Sequence, residues 1–159
     1  RQLEIGGTLR YLDYNDSNSG QDHSLSAAYA FTDHPRIFKV ILSGDYRDTR
    51  HENISKYNSS GNLTDITHPY WTPKNYTGGD ITLEWYHDLS KLFFCGSDLH
   101  FYDLRLSFGT DSTGNAAVRL EGEWHYEFYD HWSVGIKGTI HRSREWDADG
   151  LLGSIKYRF

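Results

Sequence analysis

The stretch Gly153-Ser154-Ile155-Lys156-Tyr157-Arg158-Phe159 alternates without a break. Side chains of an extended chain point to opposite sides in turn, so Gly153, Ile155, Tyr157 and Phe159 share one face while Ser154, Lys156 and Arg158 share the other. Cations on one side and aromatics on the other suit two kinds of sheet: a half-buried soluble one, or a transmembrane barrel whose outer face meets lipid. The neighbouring segments decide between them.

Working outward, the same period of two recurs. Trp132 to Arg142 sets Trp132, Val134, Ile136 and Ile140 against Ser133, Lys137 and His141. Asn115 to Tyr129 sets Val118, Leu120, Trp124 and Tyr126 against Arg119, Glu121, Glu123 and His125. Ser97 to Gly109, Thr77 to Asp88, Arg36 to Arg47, Ser24 to Asp33 and Leu3 to Tyr14 repeat the pattern, although Ile37 and Ile41 blur it in the third segment. With the terminal stretch that makes eight strands of roughly 9–14 residues, the length a tilted strand needs to cross a bilayer. Helical periodicity is absent over any useful length.

The connections alternate too. Asn15 to His23, Asp48 to Tyr76, Asp111 to Gly114 and Asp147 to Gly150 read as polar loops, the second of them long and irregular. His34-Pro35 and Asp130-His131 read as tight turns, and Leu89 to Gly96 is a less regular connection containing Phe93 and Phe94. Short turns on one side and longer loops on the other are the asymmetry of an outer-membrane barrel with both termini on the periplasmic side.

Composition agrees with strands. The chain of 159 residues suits one domain, and its 12 Tyr, 8 Phe and 5 Trp are residues that pack well on pleated surfaces. A net charge of −6 without a basic block gives nucleic acid no electrostatic footing. The single cysteine, Cys95, excludes an internal disulfide and reads as an inert thiol. No apolar run approaches the ~20 residues of a membrane helix, so any crossing is by strands. The first residue is Arg1, with no signal-peptide pattern, so a processed protein or an excerpt is expected.

The polar face collects Glu4, Asp45, Asp80, Glu84, Asp103, Glu121 and Glu123 against Arg10, Lys39, Arg47, Arg105, Arg119, Lys137, Lys156 and Arg158. Near-neutral pairing is what an enclosed interior requires, although a solvated outer face tolerates it equally. The apolar face carries Tyr11, Phe31, Tyr46, Trp85, Tyr102, Phe108, Trp124, Tyr126, Trp132, Tyr157 and Phe159, mostly near strand ends. Such placement suits interfacial girdles, which favours a membrane barrel with the charges in its lumen over a lipocalin-like soluble barrel that binds a ligand inside.

Few residues suggest chemistry. His141-x-Ser143 with Glu145 nearby supplies the residue types of an acyl-transfer site. This motif resembles that of the lipid A deacylase barrels, which implies a membrane-embedded hydrolase, but Arg144-Glu145 stands where that family has Asn-Ala. His141 and Ser143 also fall on the charged face, so polar lumen and loop residues are the simpler reading, with no enzyme activity. The nine histidines form no chelating pair, and neither Asp16 to Asp22 nor Asp147-Ala148-Asp149 has the spacing of a calcium loop. No metal and no cofactor is expected.

The terminal Tyr157-Arg158-Phe159 resembles the C-terminal assembly signal of bacterial outer-membrane barrels. The run His68-Pro69-Tyr70-Trp71-Thr72-Pro73-Lys74-Asn75-Tyr76, then Leu83-x-Trp85-x-His87-x-Leu89, Gly109-Thr110-Asp111 with Gly114, and Asp130-x-Trp132, resembles the C-terminal barrels of tetratricopeptide-repeat outer-membrane proteins. That group includes the exopolysaccharide-export porins. The resemblance covers about Tyr70 to Phe159 and implies location in the bacterial outer membrane and a role in transport or anchoring. It implies as partners the bilayer and its lipopolysaccharide, the barrel-assembly machinery through the C-terminal strand, and a polysaccharide or a periplasmic protein. Barrels of that family are commonly larger, so eight strands are either a small relative or a portion. Eight leave a lumen filled by side chains, and sixteen leave an aqueous path.

Overall fold

A computed structural model describes residues 2–66, 70–90, 100–128 and 131–158. Eight long strands form one antiparallel sheet: β1 (Gln2–Asp13), β2 (Ser19–Ala30), β3 (Arg36–Thr49), β6 (Tyr76–Asp88), β7 (His100–Asp111), β8 (Ala116–Phe128), β9 (Trp132–Ser143) and β10 (Asp147–Tyr157). They follow one another in chain order, each paired with the next. Two short strands, β4 (Ser55–Tyr57) and β5 (Leu63–Ile66), form a separate hairpin in the connection from β3 to β6. No helix among the described residues is long and apolar enough to cross a membrane.

Every long ladder runs without a register shift. Directly opposed residues share a face, so the two-sided pattern of one strand is carried unbroken to the next. Leu104, Gly122, Gly138 and Leu151 form one rung of the apolar face, and Lys39, Glu84, Arg105 and Glu121 one rung of the polar face. Ile37 and Ile41 fall on the polar face by register, so they interrupt its composition without displacing the strand.

Burial runs opposite to that of a soluble protein. Among the described residues no hydrophobic side chain is buried, whereas Glu84 is 8% and His141 7% exposed. Leu42 is 52% and Leu120 46% exposed although both sit in the middle of the sheet. The enclosed side of the sheet is therefore the polar one. The sheet is open: β1 and β10 are its edges, with no ladder joining them among the described residues. An edge strand is covered from one side only, which leaves most of β1 and β10 exposed on both faces.

Several boundaries differ from the sequence reading. Residues 19–23, expected in a loop, belong to β2, where Asp22 lies opposite both Arg10 and Arg47. The Asp22 carboxylate is there for an arginine on each side, not for a turn. Asp147 to Gly150, expected as a loop, forms the start of β10, with Arg142 opposite Asp147. The stretch from Asp48 to Tyr76 is not irregular throughout. Its β4–β5 turn is held by Asn58, whose Oδ1 accepts the N–H groups of Ser60 at 3.0 Å and Asn62 at 2.9 Å. Phe93, Phe94 and Cys95, the Asp130 half of a predicted turn, His68-Pro69 and Phe159 lie outside the described residues.

The β7–β8 turn matches its sequence signal. The Asp111 carboxylate accepts the N–H groups of Thr113 at 2.9 Å and Asn115 at 3.1 Å, and Gly114 takes φ of 78°. That left-handed conformation costs a residue with a Cβ about 1–2 kcal/mol. Gly114→Ala is accordingly expected to lower unfolding stability by about 1–2 kcal/mol, read as a shift of the denaturant midpoint with an unchanged slope.

Candidate functional site on the polar face

The polar face is a lattice of opposed charges placed by register. Lys39 Nζ lies 3.4 Å from Glu84 Oε1, Arg105 Nε lies 3.2 Å from Glu84 Oε2, and Arg105 Nη2 lies 2.7 Å from Asp103 Oδ2. Glu84 is the centre of this group and the most enclosed of its charges. Toward the loops, Asp22 stands between Arg10 at 3.8 Å and Arg47 at 3.5 Å, and Arg47 also approaches Asp45 at 3.6 Å. Lys137 and Glu121 are 4.0 Å apart. Neighbouring strands contribute opposite signs on the same rung, which keeps an enclosed face near neutrality.

A hydroxyl chain links the same strands. Ser43 Oγ donates to Asp80 at 2.7 Å, Thr82 Oγ1 donates to Asp80 at 3.1 Å, and Thr82 and Ser107 hydroxyls meet at 2.8 Å. Arg119 and Glu123 also lie on this face by register, opposite Ser107 and Asp103 respectively. Glu4 and Lys156 lie on it too, one on each open edge, and neither forms an ion pair among the described residues. Arg158, just past β10, reaches Glu127 at 3.5 Å.

Sequence reasoning missed Asp22 and Glu127 as members of this lattice. Asp22 was hidden in a run that looks like a loop, and the signal for Glu127 was present: it continues the alternation of Glu121, Glu123 and His125.

The other face gathers aromatics near the short turns. Trp85 Nε1 donates to the Tyr102 hydroxyl at 3.3 Å, and Trp124 Nε1 donates to His100 Nε2 at 3.2 Å. Rings continue in contact through Trp124, Tyr126 and Phe128, and Trp132 meets Tyr157 at 4.8 Å between centroids. Across the sheet Phe31 touches Tyr29 and Phe38. Tyr11, Phe108 and Tyr46 lie toward the loop end, farther apart along their strands from this cluster.

At the loop end Asn18 is fully buried and acts as a hub. Its Nδ2 donates to the His51 carbonyl at 3.2 Å and to the Tyr70 hydroxyl at 3.1 Å, while its Oδ1 accepts from the N–H groups of Ser19 at 3.0 Å and His51 at 2.9 Å. Tyr70 stacks on Tyr14 at 4.3 Å, and its hydroxyl donates to Asp16. Burial raises the pKa of Tyr70, and the Asp16 carboxylate adds to the rise while the Asn18 hydrogen bond opposes it. Lys74 holds the Thr49 and Arg50 carbonyls, and the Arg47 guanidinium lies 5.1 Å from the centre of the Trp71 ring. The run from Tyr70 to Tyr76 therefore ties the long β3–β6 connection to the rim of the sheet.

The side chains of His141, Ser143 and Glu145 form no hydrogen bond with one another among the described residues. The Ser143 hydroxyl donates to the Trp146 carbonyl at 2.9 Å and accepts the N–H groups of Trp146 at 3.1 Å and Glu145 at 3.3 Å, so it caps the β9–β10 turn. Among the described residues neither ring nitrogen of His141 has a hydrogen-bond partner, and the ring stacks on Trp146 at 4.1 Å. Asp147 and Asp149 are strand residues, Asp149 in a two-pronged ion pair with Arg142 at 2.6 and 3.1 Å. No group of three or more His, Cys, Asp or Glu among the described residues could hold a metal ion. Comparison with protein-family models, with curated proteins and with solved structures found no match.

Three substitutions probe the polar face and its loop end. Glu84→Gln removes the shared partner of Lys39 and Arg105 and is expected to cost about 1–3 kcal/mol in denaturant unfolding, more than Glu121→Gln at its longer pair. Asn18→Ala strips four hydrogen bonds from a buried position. It is expected to speed proteolytic cleavage in residues 50–75 while leaving amide exchange in β6 to β9 unchanged.

Proposed function

We propose that this chain is a non-enzymatic β-barrel of the bacterial outer membrane, with a transport or anchoring role tied to export of an exopolysaccharide. The observation that carries the reading is the inverted burial: charges on the enclosed side, leucine, isoleucine and aromatics on the exposed side. In water that arrangement exposes the whole apolar face, whereas in a bilayer the same face meets lipid and the charges meet water or one another. A soluble ligand-binding barrel would enclose the apolar face instead. The aromatic cluster by the short turns supports an interfacial girdle.

The proposal includes closure of the open edges on each other. Opposing Leu3 to Tyr157 and Ile5 to Ile155 matches apolar with apolar, brings Glu4 against Lys156, and covers both edge strands end to end. Long edges without proline or bulge are the kind that proteins leave only where a strand will cover them. The rungs themselves support this register. From Glu4 they run through Ala28, Ile41, Thr82, Ser107, Arg119 and His141 to Ala148, which would then face Leu12, eight residues beyond the start. A stagger of about eight over eight strands corresponds to a tilt of about 36°, within the range of closed barrels. At that tilt Leu3 to Tyr11 rises roughly 22 Å, close to the ~25 Å apolar band of outer-membrane barrels.

Expression with a secretion signal is expected to place the chain in the outer-membrane fraction, and refolding is expected to need detergent or lipid. A chain monomeric and folded in plain buffer contradicts the membrane reading. In a Cys95→Ser background, the pair Ile5→Cys and Ile155→Cys should give a faster-migrating monomer on oxidation. A covalent dimer would mean instead that the edges meet in a second copy. Planar-bilayer conductance then separates a plugged lumen from an open path.

A further inference from the structure

At the loop end of the polar face a cavity of about 320 Å³ opens between β3 and the β9–β10 turn. Its lining includes Asp45, Asp80 and Asp111, with Arg119, His141 and Trp146. His141 is the feature that calls for a ligand. It is 7% exposed, lies opposite Arg119 on the neighbouring strand, and has no hydrogen bond at either ring nitrogen among the described residues. Burying an imidazole without partners is unfavourable unless another polar group meets it. In its neutral form the ring offers one donor and one acceptor, a pair that hydroxyl groups satisfy, since each hydroxyl does both.

The rest of the cavity narrows the choice. Trp146 stacks on His141 at 4.1 Å yet remains 54% exposed, which leaves flat aromatic surface beside a row of hydrogen-bonding groups. Asp45, Asp80 and Asp111 line the cavity with Arg119, and Arg47 pairs with Asp45 at 3.6 Å, so carboxylates outnumber guanidinium groups by one and the local charge disfavours an anion and favours an ammonium group. The volume is at the lower end of small-molecule sites, ~300–1,000 Å³, and suits a ring rather than an extended fragment. The described residues hold no group fit for a metal ion.

We propose that this cavity is a pyranose-binding subsite: Trp146 stacks on the sugar ring, His141 hydrogen-bonds its hydroxyls, and the aspartates favour an amine-bearing sugar over a uronate. The proposal rests on the reading of the chain as a barrel tied to export of an exopolysaccharide and gives that barrel a defined sugar contact at the loop end of its polar face.

The test is calorimetric titration of the folded full chain in detergent with three probes: glucosamine tetramer, cellotetraose and tetragalacturonate. Glucosamine tetramer is expected to bind most tightly and tetragalacturonate least. His141→Phe keeps the stack but removes the nitrogens, and should weaken binding about three- to tenfold. Trp146→Ala should weaken it at least tenfold, while Tyr57→Ala, on the exposed β4, leaves it unchanged. If Trp146→Ala fails to fold, the wild-type chain gives a second reading: glucosamine tetramer should slow carbethoxylation of His141 by diethylpyrocarbonate, followed by mass spectrometry. Absence of binding by all three probes, binding indifferent to His141→Phe, no protection of His141, or preference for the uronate overturns the subsite. A detergent-dependent barrel that binds no sugar removes the subsite alone. A chain folded in plain buffer that binds through Trp146 removes the membrane reading alone.

Discussion

The structure depends on the pairing of opposite charges across neighbouring strands on the enclosed face. Glu84, between Lys39 and Arg105, is its clearest instance. A charged group taken out of bulk water is tolerable only when another charge or several hydrogen bonds meet it. Here the sheet supplies that partner through register, since residues directly opposite each other share a face. A slip of one residue in any strand would turn its charges outward and its leucines inward. The lattice therefore specifies the register as much as it stabilises the fold.

The same constraint explains how the two faces divide labour. The exposed side is made of Leu, Ile, Val and aromatic rings, joined by ring contacts, the Trp85–Tyr102 and Trp124–His100 hydrogen bonds and the Arg142–Asp149 ion pair. Nothing packs on it from within the described chain, so its chemistry is directed at the surroundings. The enclosed side holds most of the directional interactions: the charge lattice, the Ser43–Asp80–Thr82–Ser107 hydroxyl chain, and the Asn18 hub that ties the loop end together. Function on a scaffold of this kind resides in what the enclosed side leaves unsatisfied. His141 stands out there because Arg119 lies opposite it without bonding to it and Trp146 covers it without offering a polar atom.

Strand identity and facing were legible because period two leaves little freedom. Once Ile155 and Tyr157 share a face with Phe159, Lys156 and Arg158 must oppose them, and the same logic sorted Glu84 from Trp85 and Arg105 from Leu104. The reading failed where a polar run was not a loop. Ser19 to His23 and Asp147 to Gly150 look like turns, yet each is laddered to a neighbouring strand, Asp22 between Arg10 and Arg47 and Asp147 opposite Arg142, and local composition carries no record of a partner. The candidate hydrolytic set failed to assemble for a related reason. His141 and Ser143 are close in sequence and on one face, but the Ser143 hydroxyl is taken by the backbone of its own turn.

By itself, then, the sequence determined the all-β character, the number of long strands and which side chains share a face, because alternation is a property of the extended backbone alone. Only the tertiary structure decided which face is enclosed, because enclosure depends on how eight strands curve together and not on any one of them. It also decided which charges meet, adding Asp22 and Glu127 to the lattice through registers set by strands distant in the chain. Finally it brought Asp45, Asp111, Arg119, His141 and Trp146, from four strands and a turn, to the lining of one cavity, a grouping that no spacing along the chain encodes.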